Sequence, residues 1–259
     1  MNKVLGLIAA VLFVFQVQPA NSLDRVIRLT NGEFPPYLTE GVEGYGVASR
    51  IVSEAFAVSG HIVEYGFFPW KRSMILAERG EWDGTVVWSW SKERDRLFFY
   101  SDPVIVSKEV FFHRKTRSFS WDTYSDLSGF RIGATIGYFY GNDFQKAEDS
   151  GLIKVDRSTT DYYNLRKLTN GRIDLSLVEM NVGLALLHDQ LPQYSDIIVA
   201  HADKPARITT LHLLISRQVK NGKALIATFN KGLTKIRDTG RVDELFRKAN
   251  LERHSVMPE

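Results

Sequence analysis

Short apolar runs typical of strands alternate with helix-like segments along the chain, and this alternation is its most constraining feature. In the first hundred residues we predict strands at 26–29, 62–67 and 85–87, with helices over 44–60 and from Phe68 onwards. Later predicted strands lie at 131–134, 174–178, 197–199 and 211–215, and an extended segment covers 104–112. Because strands that alternate with helices form βαβ units, the chain is predicted to be α/β, with ligands at the carboxyl ends of its strands.

The composition is that of a globular protein, and it narrows the classes of function. Of the 259 residues, 44% are hydrophobic and 24% are charged, which suits one large or two modest domains. The net charge of +3, with both signs mixed, does not indicate a protein that binds nucleic acid. The chain has no cysteine, and its six histidines lack metal-ligand spacing. We therefore predict no cofactor, no metal site and no catalytic residues.

The first 22 residues have the pattern of a secretory signal peptide. A basic start precedes an apolar run from Val4 to Val17, and small residues lead to a cleavage site after Ser22. An uncleaved membrane anchor is the alternative, although the run is shorter than the roughly 20 residues that a spanning helix needs. Since no cysteine follows to accept a lipid, we expect a soluble periplasmic protein that is not lipid-anchored.

Aromatic and polar residues follow the predicted strands where a ligand is expected. Phe34 lies in a loop stiffened by two prolines after the first strand, and Trp70 lies at a helix start after the second. The third strand ends in Trp88, Ser89 and Trp90. Phe34, Trp70 and Ser89 are predicted to converge on one edge and to form part of a cleft wall, whereas the sequence leaves open whether Trp88 and Trp90 line the cleft. Packing into the core is the alternative for the aromatic residues, and a plain strand end is the alternative for Ser89.

Several motifs in order resemble the extracellular solute-binding proteins of polar amino acid ABC importers, family 3. They are G-x-x-D-G, S-x-S-x-E-R and F-x-Y-S-D-P, then LSGFRIGATIG, LTNGRIDLSLVE and IRDTGRVDEL. The resemblance covers the chain from about residue 25 to 250. It implies a type II periplasmic-binding-protein fold with two lobes, each a central sheet flanked by helices, and a ligand cleft between them.

The resemblance also implies how the chain divides. Lobe I would be discontinuous, made of residues 23–111 and 212–259, and lobe II would be residues 112–211. Two extended crossings, near 108–113 and 208–214, would form the hinge about which ligand binding closes the lobes. A monomer that delivers its ligand to an ABC permease in the inner membrane is expected by the same resemblance.

By resemblance, Arg94 matches the arginine that binds the ligand's carboxylate, a role that suits a planar bidentate guanidinium. Ser89 matches a position that offers a hydroxyl or backbone group, Phe34 an aromatic cover, and Trp70 an apolar border. A surface arginine paired with Glu93 or Asp95 is the alternative for Arg94.

From the second lobe, Glu179 matches the acid that pairs with the ligand's ammonium group. A helix-start acid, favourable to the helix dipole, is the alternative for this residue. Gly137 and Tyr138 match a turn that adds hydrogen-bond donors at a helix N-terminus. Tyr138 and the two tryptophans beside Ser89 are bulkier than the family pattern, which favours a smaller, an aromatic or a cationic ligand over an ordinary L-amino acid.

Three functions remain open from the sequence. The first is a binding protein for an importer, and the second is a sensor module that reports the same kind of ligand to a membrane receptor. The third, an enzyme such as a dehydratase on the same scaffold, has only Glu179 as a possible general acid or base. We predict a binding protein rather than an enzyme.

Overall fold

The computed structural model describes residues 26–251 and 253. The predicted signal peptide, residues 1–22, lies outside the described residues. Within them, the protein is a mixed α/β structure in which nine strands form one hydrogen-bonded sheet. In this described part, no helix has the length and apolar character needed to cross a membrane.

The first half of the sheet is built from βαβ units, as the alternation predicts. Strands β1 (Val26–Asn31), β2 (Ile62–Phe67) and β3 (Gly84–Ser89) are parallel, with β1 between the other two. Helices α1 (Val47–Ala57) and α2 (Trp70–Glu78) connect them. The carboxyl ends of β1 and β3 therefore lie side by side, and the loops that follow them are neighbours.

Two long antiparallel strands join this half to the rest of the sheet. Strand β4 (Phe98–Arg114) follows the short helix α3 (Lys92–Asp95), and it pairs with β9 (Arg207–Ser216) from Phe98 opposite Ser216 to Glu109 opposite Arg207. Beyond this point β4 leaves β9 and pairs with a strand of the second half. The sheet is thus continuous, and β4 and β9 are the two strands that pass between its halves.

The second half repeats the pattern with its own parallel strands. They are β5 (Arg131–Thr135), β6 (Lys154–Ser158) and β7 (Leu175–Glu179), with the short β8 (Ile198–Ala200) paired to β4. The order across the sheet is β2-β1-β3-β9-β4-β7-β5-β6. Helices α4 (Asn142–Asp149), α5 (Asp161–Thr169) and α6 (Met180–Asp189) belong to this half, and 3-10 turns cover 43–45, 124–127 and 192–194.

The last two helices return to the first half. Helix α7 (Gly222–Asp238) packs against α1, and α8 (Arg241–Lys248) packs against both. Gly232 permits this approach, because a Cβ there would lie 1.9 Å from the carbonyl oxygen of Ala55. Phe229 and Phe56 fill the same interface, with ring centroids 5.2 Å apart. A chain segment at the C-terminus therefore completes a core that begins at the N-terminus.

Two main cores follow from this arrangement. The larger is centred on β1, α1 and α7, and it extends to Val178, Met180 and Val182 at the junction of β7 and α6. The second surrounds Phe111 and Trp121 beneath β5 and α4. The larger core therefore includes residues from both halves of the sheet.

The strands and helices predicted from the sequence are confirmed, with shifted ends. The extended segment at 104–112 is part of the longer β4, and the helix over 44–60 is shortened to 47–57 behind a 3-10 turn. Helix α4 follows the turn at 136–141, where a helix is expected, whereas strand β6 and helix α3 have weaker periodic patterns and were not predicted from the sequence.

Candidate functional site

The loop after β1 places Phe34 at the edge of the sheet. The amide of Phe34 donates to the carbonyl of Leu38 at 2.8 Å, and the amide of Tyr37 donates to the carbonyl of Phe34 at 2.9 Å, so the loop is held closed. The Phe34 ring stacks on Tyr37 at 5.5 Å and meets the edge of Trp70 at 6.4 Å. The predicted cover residue and border residue are therefore in contact.

Trp88 extends this contact to Arg94. The rings of Trp70 and Trp88 are perpendicular, with centroids 5.2 Å apart, and the guanidinium carbon of Arg94 lies 5.3 Å from the centre of the Trp88 ring. The Arg94 side chain also donates to the carbonyl of Ser89. Phe34, Trp70, Trp88 and Arg94 thus form a continuous row, which we call the aromatic row.

The guanidinium of Arg94 lies at one end of the aromatic row. It is half-buried, it forms no ion pair with any residue in the described part of the chain, and neither Glu93 nor Asp95 pairs with it. A guanidinium over an indole face is stabilised by cation–π attraction, and its remaining N–H groups can bind a carboxylate bidentately. The alternative of a surface arginine paired with its neighbours is wrong.

A bulge in β3 sets the direction of Trp88. The pairing with β9 shifts between Thr85 and Trp88, and Val87 between them has a φ of +58°. A β-branched residue in this left-handed region is strained by roughly 1–3 kcal/mol. The Trp88 indole N–H donates to Thr85 Oγ1 at 2.9 Å, which fixes the ring in the row, whereas Trp90 is 60% exposed. Only one of the two tryptophans beside Ser89 belongs to the row.

Glu179 lies at the end of β7, and the residue is only 5% exposed. One oxygen accepts from the amide of Val182 at 2.9 Å, which caps helix α6, so the helix-start role left open by the sequence is present. The other oxygen accepts from the Tyr37 hydroxyl at 3.0 Å, and Asn181 Nδ2 donates to the same hydroxyl at 2.7 Å. Because Tyr37 stacks on Phe34, Glu179 is connected to the aromatic row through one side chain.

Glu109 adds a second carboxylate beside Glu179. It lies opposite both Glu179 and Arg207 in the sheet, and Arg207 Nη1 lies 3.3 Å from its Oε1. Its buried Oε2 has no hydrogen-bond partner within residues 26–251 and 253. Burial raises the pKa of Glu109 to about 7; Arg207 opposes this shift, and the negative charge of Glu179 adds to it. This group therefore changes its protonation near neutral pH.

Asp161 is a further buried carboxylate in the second half. It begins helix α5, and Thr135 Oγ1 donates to its Oδ1 at 2.5 Å. Asn164 Nδ2 in turn donates to Thr135 Oγ1 at 3.1 Å. Burial raises the pKa of Asp161 to about 6, and the charge of Glu179 contributes. Among the described residues, no three histidine, aspartate or glutamate side chains are grouped closely enough to hold a metal ion.

Gly137 and Tyr138 lie in the turn between β5 and α4. Gly137 has a φ of +81° and open space around its Cα, so the turn is exposed there. Tyr138 packs against the second core, and burial raises the pKa of its hydroxyl, with Asp161 and Glu109 adding to the effect. Helix α4 begins at Asn142, and Gly141 is its N-cap. Gly137 and Tyr138 therefore precede the helix N-terminus by several residues.

The family follows from the whole chain. The model of the bacterial extracellular solute-binding proteins, family 3, matches residues 26–251. The chain belongs to this family. The search of curated proteins returned no match for it. Members of this family are located outside the cytoplasm. The aromatic row and Glu179 lie within the two halves of the fold described above.

Solved structures of similar fold agree with this membership. A mutant of ArgBP from T. maritima is 19% identical, with a TM-score of 0.67 over 87% of this chain and 95% of that one. A histidine kinase sensor domain with similarity to periplasmic binding proteins is 20% identical, with a TM-score of 0.68 over 86% and 95%. An ancestral amino-acid-binding protein, described as a precursor of cyclohexadienyl dehydratase, is 16% identical, with a TM-score of 0.64. It covers 86% of this chain and 94% of that one. The family 3 protein therefore has the two-lobed fold of the periplasmic binding proteins.

The predicted site residues of this family 3 protein fall into two groups. Phe34, Trp70, Ser89 and Arg94 come together at the aromatic row, and Glu179 reaches the row through Tyr37. Tyr138 forms no ring contact or side-chain hydrogen bond with the row among the described residues.

Three residues at the site were missed by the sequence analysis. Tyr37 had a weak signal, since it ends the loop that carries Phe34, and Trp88 was noted only for its bulk. Glu109 had a stronger one, because it is an acid between the apolar runs 104–106 and 110–112 of an extended segment.

Proposed function

We propose that this protein captures a small amino-acid-like ligand in the cleft between its lobes and delivers it to an ABC importer. The observation that carries the proposal is the position of Arg94, a guanidinium without an ion-pair partner in the described chain, held against Trp88 at the end of the aromatic row. Such a group is suited to a carboxylate, and the row is suited to the ligand's apolar part.

The other end of the ligand is assigned to Glu179. Its carboxylate is buried at the end of β7 and hydrogen-bonded to Tyr37, so an ammonium group that reached it would displace or extend that contact. A buried carboxylate gains much from a cationic partner because water is excluded. Gly137 and Tyr138 complete the proposed ligand-binding set, together with Phe34, Trp70, Ser89 and Arg94.

The proposed lobes keep the boundaries expected from the sequence, 23–111 with 212–259, and 112–211. The passage of β4 and β9 between the halves of the sheet supports a hinge at these strands. In this proposal the Tyr37–Glu179 hydrogen bond joins the two lobes, and ligand entry requires that it open. We further propose that the protein acts as a monomer in the periplasm.

The experiment is a thermal-shift screen of amino acids and related metabolites, followed by isothermal titration of the hit. A ligand that binds only the folded state raises the melting temperature. The Arg94→Ala variant should lose on the order of 2–5 kcal/mol of binding free energy, because the ligand's carboxylate is left without its partner. Arg96→Ala removes an exposed arginine from the same turn and should bind like the wild type. Equal affinity of Arg94→Ala and the wild type would contradict the assignment.

A sensor role is the second candidate, and the similarity to a histidine kinase sensor domain favours it. The same cleft would serve both roles, so the partner decides between them. Co-purification of the ligand-loaded protein with a permease supports the importer, whereas retention by a receptor ectodomain supports the sensor. Turnover of a cyclohexadienyl substrate by the pure protein would instead favour an enzyme.

A further inference from the structure

A cavity lies in the second half of the protein, and no residue of the aromatic row lines it. It is open, has a volume of about 520 Å³, and lies between the end of β6 and the outer face of α5. Its walls include Arg157, Ser158, Tyr163, Arg166, Lys167 and Arg172. None of these residues is used by the proposed amino-acid site, so the cavity needs its own explanation.

The walls of this cavity carry positive charge and no carboxylate. Two of its basic residues are already paired, Arg157 with Glu148 at 2.6 Å and Lys167 with Asp156 at 2.7 Å.

The other two basic residues, Arg166 and Arg172, form no ion pair within the part of the chain that the structure describes. Arg166 only lies near the ring of Tyr162, at 5.9 Å. Both arginine side chains are exposed, so water weakens the repulsion between them, and an anion bound between them would be attracted by both.

Ser158 gives an independent indication that this cavity is a ligand site. It lines the cavity, it is only 7% exposed, and its hydroxyl has no hydrogen-bond partner among the described residues. Its carbonyl is used, since it accepts from the amide of Ile136 at 2.8 Å, so only the side chain is unsatisfied. Buried hydroxyl groups are almost always hydrogen-bonded, and a ligand oxygen at this cavity would satisfy this one.

The remaining donors at the cavity suit an oxyanion. Thr159 and Asn170 also line the cavity, and their side chains carry a hydroxyl and an amide. The walls thus combine two unpaired guanidinium groups with neutral donors. Guanidinium groups bind phosphate oxygens through paired N–H donors, and hydroxyl groups complete such sites.

We propose that this cavity is a second ligand site, which binds a phosphate group through Arg166, Arg172 and the hydroxyl of Ser158. The charge of a phosphate dianion matches the two guanidinium groups that lack partners. The phosphate could belong to a free ion or to a lipid headgroup, and the two sources share this chemistry. The proposal is independent of the amino-acid site and stands or falls without it.

The test uses the full mature protein in phosphate-free buffer. Isothermal titration with sodium phosphate should show binding that weakens as sodium chloride is added. The double variant Arg166→Ala with Arg172→Ala should bind on the order of tenfold or more weakly, because two charge-assisted contacts are lost. A control with the same charge change, Lys223→Ala with Lys231→Ala on exposed positions of α7, should leave binding unchanged.

Ser158→Ala separates a ligand contact from a structural role. Because the hydroxyl has no partner in the fold, its removal should not lower the melting temperature, yet it should weaken phosphate binding several-fold. Sedimentation with phosphatidylcholine vesicles, with and without phosphatidylglycerol, distinguishes the lipid source from the free ion. The proposal is overturned if neither phosphate nor the anionic vesicles bind, or if the double variant and its control bind equally.

Discussion

Glu109 is the residue whose titration the structure predicts most sharply. Its carboxylate is 14% exposed, one oxygen lies 3.3 Å from Arg207, and the other has no hydrogen bond in the described chain. Burial raises its pKa from an ordinary value of 4.5 to about 7. Between these values the folded state binds more protons than the unfolded state does, so stability falls as the pH rises from about 4.5 to about 7.

The size of the effect follows from the same two values. A pKa difference between 4.5 and about 7 corresponds to at most ~3 kcal/mol, and we expect about 1–3 kcal/mol because the site is not fully dry. In the Glu109→Gln variant this contribution is absent. The wild type should therefore gain about 1–3 kcal/mol relative to the variant when the pH is lowered from 8 to 5.

The assay is urea unfolding of both proteins at pH 5, 6, 7 and 8, with the free energy of unfolding extrapolated to water. Groups that do not interact with Glu109 contribute equally in both proteins and cancel in the difference, whereas the charge interactions of Glu109 with Glu179 and Asp161 are part of the predicted effect. Glu64→Gln, which changes an exposed glutamate of β2, is the control and should differ from the wild type by a constant amount. A constant difference for Glu109→Gln across the range, or a wild type that gains at high pH, would refute the reasoning.

One further variant tests a hydrogen bond beside the site, and a pair of alanine variants tests the packing of α1 against α7. Tyr37→Phe removes the hydroxyl that donates to Glu179 and accepts from Asn181. It should therefore lower the free energy of unfolding by about 1–3 kcal/mol in urea titrations. A loss below ~0.5 kcal/mol would show that the contact contributes little. Gly232→Ala places a Cβ against the Ala55 carbonyl and should lower the free energy of unfolding by about 2 kcal/mol or more. Gly129→Ala, at a position with open space around it, should change the free energy of unfolding by less than ~0.5 kcal/mol. Equal thermal midpoints for the two alanine variants would contradict the close packing of α1 and α7.

The fold could be predicted because its signals are local. The β-branched runs of β1, β2 and β3 and the periodic faces of α1 and α7 are each contained in a short window of sequence. Arg94 and Glu179, in contrast, were identified as candidates through the family resemblance and not through a local pattern. The family resemblance added the order in which these pieces assemble.

The contacts that make the site are not local, and the sequence could not provide them. Tyr37 and Glu179 are 142 positions apart, and nothing near either residue indicates the other. The bulge at Val87 directs Trp88 into the aromatic row and leaves Trp90 exposed. The alternation of tryptophan and serine in the sequence does not indicate which of the two tryptophans lies in the row. Gly137 and Tyr138 were proposed from the family resemblance, although Tyr138 is bulkier than the family pattern, and their ligand role stays a prediction.

The central claim is that Arg94 binds the carboxylate of an amino-acid-like ligand. The most direct test is a cycle of four titrations, in which the wild type and Arg94→Ala each bind the ligand and its carboxamide analogue. The account predicts that the wild type binds the analogue about 2–5 kcal/mol more weakly than the ligand, while Arg94→Ala hardly distinguishes the two. If both proteins lose the same free energy with the analogue, Arg94 does not contact the carboxylate and the account is wrong.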